Sequence, residues 1–182
     1  SPMGPFMAYN NKTHTPENMM ALDGTLYVEN NIPYMVFCHE WVEIVDGSID
    51  YSQLASDLSK PVGKPIKMFN ASEAKWSTSE TSKVTDGCFM YTTKSGKLIM
   101  IWSSFGVKGY AIGIAESRSG KLKGPWIQQN ELLFEQNGGH GMIFKTFENT
   151  LLLALHQPNS PSGQERLILT EIEDTGESLK LK

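Results

Sequence analysis

Leu22-Asp23-Gly24-Thr25-Leu26-Tyr27-Val28, followed by Tyr34-Met35-Val36-Phe37-Cys38-His39-Glu40-Trp41, reads as two adjacent strands with charged groups at one shared end. The pattern occurs three times. Thr85-Asp86-Gly87-Cys88-Phe89-Met90-Tyr91 precedes Leu98-Ile99-Met100-Ile101-Trp102-Ser103-Ser104-Phe105, and Gly139-His140-Gly141-Met142-Ile143-Phe144 precedes Leu151-Leu152-Leu153-Ala154-Leu155-His156-Gln157. A polar residue beside glycine opens each unit: Asp23, Asp86 and His140. The second apolar run begins 11 or 12 residues after it.

Working outward, Gly4-Pro5, Gly63-Lys64-Pro65 and Gly124-Pro125 lie 59 and 61 residues apart, which sets a repeat long enough for a four-stranded sheet and its turns. Hairpin residues follow each short strand: Glu29-Asn30-Asn31, Lys94-Ser95-Gly96-Lys97 and Phe147-Glu148-Asn149. Asn, Gly and Ser tolerate the dihedrals such turns need. The second strands are nearly continuous apolar runs, as expected of strands covered on both faces. Third strands are expected over 49–54, 110–116 and 166–172, and fourth strands over 65–69, part of 126–134 and 178–181. No amphipathic helix is evident.

Four-stranded units in series point to an all-β protein, a β-propeller, in preference to a sandwich or solenoid. Blades are expected over 21–70, 84–134 and 138–182, with 1–20 closing a preceding blade. Three blades do not close a ring, and open sheet edges invite aggregation. The remaining blades are therefore expected from the rest of the same protein or from a second chain. The polar stretch Asn70–Val84, with its single Trp76, is expected to be either a functional or mobile loop or a solvated one.

The chain has 182 residues, 40% of them hydrophobic, and a formal charge of −4. That balance argues against broad electrostatic binding to nucleic acid or an anionic membrane. No apolar run approaches the ~20 residues of a membrane-spanning helix. The chain begins at Ser1 without a visible signal peptide, which leaves export open. Cys38 and Cys88 read as buried free thiols.

In a propeller the first strand of each blade lines the central channel. Asp23, Asp86 and His140 would then face one mouth. The antiparallel second strands return there with His39 and Glu40, Ser103 and Ser104, and His156 and Gln157. Carboxylates, imidazoles and the rings of Trp41, Trp102 and Phe105 suit a carbohydrate, which offers hydroxyls on its edges and a C–H face to aromatics. Glycoside hydrolysis needs two carboxyl groups, about 6.5–9.5 Å apart for inversion and about 5–5.5 Å apart for retention. Singly, Asp-Gly is a common turn dipeptide and an apolar-strand tryptophan such as Trp102 is usually core. Only the shared register raises the set above such readings.

These strings, Leu22 to Tyr27 with Tyr34 to Trp41, Asp86-Gly87 through Trp102-Ser103-Ser104-Phe105, and Gly138-Gly139-His140-Gly141-Met142, resemble glycoside hydrolase family 43 over nearly the whole chain. The resemblance implies a five-bladed propeller that cleaves arabinose-, xylose- or galactose-containing polysaccharide with inversion. It implies an aspartate base, an aspartate that tunes and orients, and a glutamate acid. Asp23 matches the tuning aspartate. Asp86 stands where the family usually has its glutamate, one methylene longer, so either Asp86 or Glu40 is the expected acid. The base has no match here and is expected upstream of Ser1, so this segment alone is expected to be inactive. His39, Trp41, Trp102, Ser104, Phe105 and His156 are the expected sugar contacts. No cofactor is required, but His140 matches a channel histidine that helps hold calcium through water. A secreted or periplasmic location is the expectation, with a cytoplasmic one open. A non-catalytic carbohydrate-binding propeller is the alternative. A protein-interaction scaffold fits poorly with so charged a mouth.

Overall fold

The computed structural model describes residues 1, 3–7 and 12–182. Twelve strands form three antiparallel sheets, each in chain order. The first holds β1 (Ala21–Glu29), β2 (Ile32–His39), β3 (Ser48–Leu54) and β4 (Pro61–Asn70). The second holds β5 (Asp86–Thr92), β6 (Leu98–Gly106), β7 (Gly109–Ser117) and β8 (Trp126–Gln128). The third holds β9 (Gly139–Lys145), β10 (Leu151–Gln157), β11 (Arg166–Asp174) and β12 (Leu179–Leu181). The first strands are neighbours, β1 against β5 and β5 against β9. They therefore share one axis, and the sheets radiate from it as propeller blades.

Two cores hold the blades together. Between the first and second lie Val36, Cys38, Ile49, Phe69, Met100, Trp102, Ala111 and Trp126. Between the second and third lie Ile99, Ile101, Ile112, Ile114, Ile143, Leu153 and Leu155. β6 sends alternate residues to opposite cores, which is why its sequence is apolar without a break. In β10 this expectation holds on one face only. Leu153 and Leu155 are buried, while the other face, with Met142, Phe144, Leu167 and Leu169 beside it, is open. No further sheet covers that face among the described residues. β1 likewise leaves Leu26 and Val28 exposed.

The segment from Asn70 to Val84 is not merely a solvated loop, since it is anchored to the core at several points. It begins with a reciprocal cap between Asn70 and Glu73 around the single turn Ala71–Glu73. It then drives Trp76 into the core, with its ring centroid 4.7 Å from that of Trp102. Gly113 makes room, since a Cβ there would run into the Trp76 ring. Ser77 Oγ meets Ser104 Oγ at 3.0 Å, and Thr78 N–H donates to the Phe105 carbonyl at 3.0 Å. The expectation of a closing strand over 1–20 falls partly on residues 2 and 8–11, outside the described residues. Residues 3–7 and 12–20 form no strand.

Candidate active site

Each inner strand carries one extra residue at the same level. Pairing steps from Leu22↔Cys38 to Thr25↔Val36, from Asp86↔Ser103 to Phe89↔Ile101, and from Gly139↔His156 to Met142↔Ala154. Such bulges re-aim side chains. One residue in each adopts the left-handed conformation: Asp23 at φ 57°, Gly87 at φ 55° and His140 at φ 54°. For a residue with a Cβ that costs roughly 1–3 kcal/mol, and such strain clusters at functional sites.

The register read from the polar-glycine pairs is therefore corrected by one residue in the second blade. Asp23 and His140 are equivalent, but their counterpart is Gly87. Asp86 corresponds to Leu22 and Gly139. Two identical Asp-Gly dipeptides thus sit in different frames, with Asp in the left-handed position in one and Gly in the other.

The shift places the two carboxylates in different surroundings. Asp23 Oδ2 accepts the Gly87 N–H at 2.9 Å, and its Oδ1 lies 3.6 Å from His140 Nε2. The Asp23 carbonyl accepts the Cys88 thiol at 3.3 Å. The His140 N–H donates to Ser103 Oγ at 2.8 Å, which fixes the imidazole over a cavity of about 230 Å³ lined by Asp23, Gly87, Phe89 and Met142. Asp86 is more enclosed. Tyr110 OH donates to its Oδ2 at 2.7 Å. Burial is the main force on its ionisation and pushes its pKa up to about 6. The Tyr110 hydrogen bond and His140 pull down, and the charges of Asp23 and Glu40 push up.

Tyr110, which the sequence reading passed over, links two residues it selected. Its ring lies 5.6 Å from His156, nearly parallel at 21°, and 5.2 Å from Phe105. His156 Nε2 also meets Asn159 Oδ1 at 3.0 Å. Burial and the neighbouring Asp86 raise the Tyr110 pKa strongly, so the phenol stays a donor. A tyrosine two residues before the buried Ile112 in a core strand carries no motif; only its pairing opposite Phe105 reveals the role.

His39 and Glu40 do return to this end, but a helical turn α1 (Trp41–Ile44) follows at once. It brings Glu43 round to accept from His39 Nε2 and from the Met20 N–H, both at 2.8 Å. The Met20 N–H, then His39, hold the Glu43 carboxyl below its usual range. Glu43 too was missed, because no strand pattern announces a single turn. Trp41 opens that turn, half-buried. Trp102 and Ser104 do not face the mouth, contrary to the expectation. Both are fully buried, Trp102 with its Nε1–H on Gln128 Oε1 at 3.0 Å and Ser104 under the Trp76 segment. The alternation that turns Ser103 towards His140 turns them into the other core.

Calcium takes six to eight oxygen ligands. Next to His140 stands one carboxylate, Asp23, and no group of three His, Cys, Asp or Glu side chains with metal-holding geometry occurs among the described residues. These side chains do not build a directly ligated ion site.

Two unequal carboxyl groups and an imidazole thus meet at one rim of a propeller blade set. The chain belongs to glycosyl hydrolases family 43, whose sequence pattern it matches over residues 1–175. An endo-arabinase from Bacteroides thetaiotaomicron superposes with a TM-score of 0.87 at 45% identity, over 95% of this chain and 63% of that one. An endo-1,4-beta-xylanase from the same organism superposes at 0.80 and 18% identity, over 100% and 64%. An alpha-L-arabinofuranosidase from Lactobacillus brevis gives 0.70 and 19%, over 87% and 54%. The last two likenesses speak to fold alone. No curated protein matches the sequence. The chain thus spans less than two thirds of the length of the endo-arabinase. Among the described residues, no helix is long and apolar enough to cross a membrane.

Proposed function

We propose that this chain is the acid-bearing part of an inverting glycoside hydrolase acting on plant polysaccharide, with arabinan as the first substrate to test. The observation that carries the reading is Asp86, a carboxyl whose pKa is pushed up to about 6 by its enclosed position and which is set beside Asp23. A general acid must hold its proton near the working pH and lose it to the leaving oxygen. Asp86 takes that role rather than Glu40. Asp23, fixed by Gly87 and facing His140, raises the Asp86 proton affinity and orients the sugar. Phe105 and His156, gathered by Tyr110, would flank it.

The base that activates water is an aspartate from outside this chain. The open faces at Leu26 and Val28, and at Met142, Phe144, Leu167 and Leu169, are where the remaining blades would pack, from the same protein or a second chain. The likeness to an endo-arabinase at 45% identity supports the substrate choice. Any calcium near His140 would be held through water. Such polysaccharides lie outside cells, so the reading includes export.

The test uses full-length protein. Asp86→Asn should lower release of reducing ends from linear arabinan by about 100-fold or more, the scale of a lost general acid. It should spare an aryl arabinoside whose leaving group needs no proton. Equal activity of wild type and Asp86→Asn on arabinan refutes the assignment. The aspartate where the family carries glutamate favours one second reading, a carbohydrate-binding propeller without turnover. Arabino-oligosaccharide binding with no reducing ends released would establish it.

A further inference from the structure

We propose a second ligand site, for an acidic oligosaccharide, in the groove between the first and second blades at the end of the strands remote from Asp23. The groove encloses about 610 Å³. Tyr34, Tyr51 and Gln53 line it from the first blade, and Lys64 projects from β4 at its edge. Lys121 and Lys123 come from the turn between β7 and β8 of the second blade. From Asp23 to Glu29 at the groove the inner strand runs six residues, about 20 Å at ~3.3 Å per residue. The site is thus separate from the candidate active site.

Three features make it a built site. First, the lysine-bearing turn is pinned. Leu122 is buried, its N–H donates to Glu29 Oε1 at 2.9 Å, and the Lys121 carbonyl accepts Ser117 Oγ–H at 2.6 Å. Lys121 and Lys123 flank that anchor, so their backbone is fixed at the rim and their exposed side chains project from it. Second, among the described residues Lys64, Lys121 and Lys123 form no ion pair, while the six pairs found elsewhere use other cations. Three unpaired positive charges meet one carboxylate, Glu29, already engaged, on a chain that is acidic overall. Third, Tyr51 is only 8% exposed, and its hydroxyl has no hydrogen-bond partner among the described residues. That hydroxyl is open to the groove, where a ligand would accept or donate a hydrogen bond in place of water.

The chemistry selects the ligand class. Three lysines suit a carboxylate. A bare inorganic anion, however, has no use for the Tyr34 and Tyr51 rings, set edge to face at 5.7 Å, or for the Gln53 amide. A sugar ring bearing a carboxylate uses all of them. Binding there would hold a charged polymer to the far rim and leave the catalytic mouth free. The inference concerns binding and stands or falls apart from the hydrolase reading.

Titration calorimetry on full-length protein tests it, with tri-galacturonate as probe and xylotriose and inorganic phosphate as comparators. Tri-galacturonate should bind more tightly than either. The double variant Lys121→Ala/Lys123→Ala should weaken it about tenfold, and Tyr51→Phe about threefold, in the range of lost rim charges and a lost hydroxyl. Asp86→Asn should leave it unchanged. Equal binding of phosphate would show a plain anion patch, and equal binding of xylotriose would show that charge is irrelevant. Affinity lost in Asp86→Asn but kept in the lysine variant would put the ligand in the mouth. Each of these overturns the proposal.

Discussion

The Asp23 carboxylate reaches across from the first blade to accept the Gly87 N–H of the second at 2.9 Å. It thereby locks a negative charge one residue away from Asp86. That bond turns two separate bulges into one electrostatic unit, because the charge fixed by Gly87 is among those that push the Asp86 pKa up. Asp23→Asn can keep the hydrogen bond while removing the charge. Asp86 must be protonated to act as an acid, so activity is expected to fall as pH rises through about 6. In Asp23→Asn the Asp86 pKa drops, and the alkaline limb of kcat/KM should move to lower pH. An unmoved limb would show that Asp23 does not tune this group.

Tyr110 supplies the opposite perturbation. Its hydroxyl donates to Asp86 Oδ2 and favours the ionised form. Tyr110→Phe deletes that donor and keeps the ring that stacks on His156. The alkaline limb should therefore move to higher pH, opposite in sign to Asp23→Asn. A shift in the same direction for both variants would mean that the limb reports another group.

Burying Asp86 also bears on stability. Its folded-state pKa is raised from 3.8 to about 6, so the folded state holds a proton more tightly than the unfolded chain. Stability is then favoured below about pH 4 and lost as pH rises towards 6, by up to about 3 kcal/mol at 1.36 kcal/mol per unit. Asp86→Asn keeps an acceptor for Tyr110 without the charge. It should raise Tm at pH 7.5 and change it little at pH 4, while activity falls. A variant less stable than wild type at pH 7.5 would contradict this account of the carboxyl.

Trp102 separates packing from recognition. It is fully buried between Phe69 and Trp76, with ring centroids at 5.5 and 4.7 Å. Trp102→Ala should cost about 3–5 kcal/mol of folding stability, the usual scale for an emptied aromatic site. Trp102→Phe should lower Tm and leave KM for the oligosaccharide unchanged. A raised KM at unchanged Tm would return Trp102 to the binding residues.

The blades were legible because β6 and its relatives combine strand periodicity, turn chemistry and a fixed spacing, three local signals that agree. The same signals misplaced Asp86 by one residue. A bulge adds a residue without changing composition, and Asp-Gly offers two residues able to take the left-handed position, so the frame depends on pairing with β6. Tyr110 and Glu43 were invisible for a related reason. Their roles come from contacts across strands, Tyr110 to Asp86 and Glu43 back to Met20, which no linear pattern encodes. Trp76 shows the converse, a core residue set in a stretch whose polarity announced a surface loop.

The bulges yield a last expectation, in which two substitutions at equivalent positions act in opposite senses on stability. Gly87 has φ +55°, and a Cβ there would lie 2.9 Å from the His140 Cα and 3.0 Å from its ring. Gly87→Ala therefore combines left-handed strain with a backbone clash and displaces the N–H that holds Asp23. A loss of about 1–3 kcal/mol in stability is expected from the strain alone, together with a fall in kcat. His140→Gly relaxes the same left-handed conformation, so it should leave Tm unchanged or slightly higher. It removes the imidazole facing Asp23 and so should lower kcat all the same. Thermal melts and kcat for the two variants check the pair, and a stable Gly87→Ala protein with wild-type kcat would show that the inner-strand bulges do not position this site.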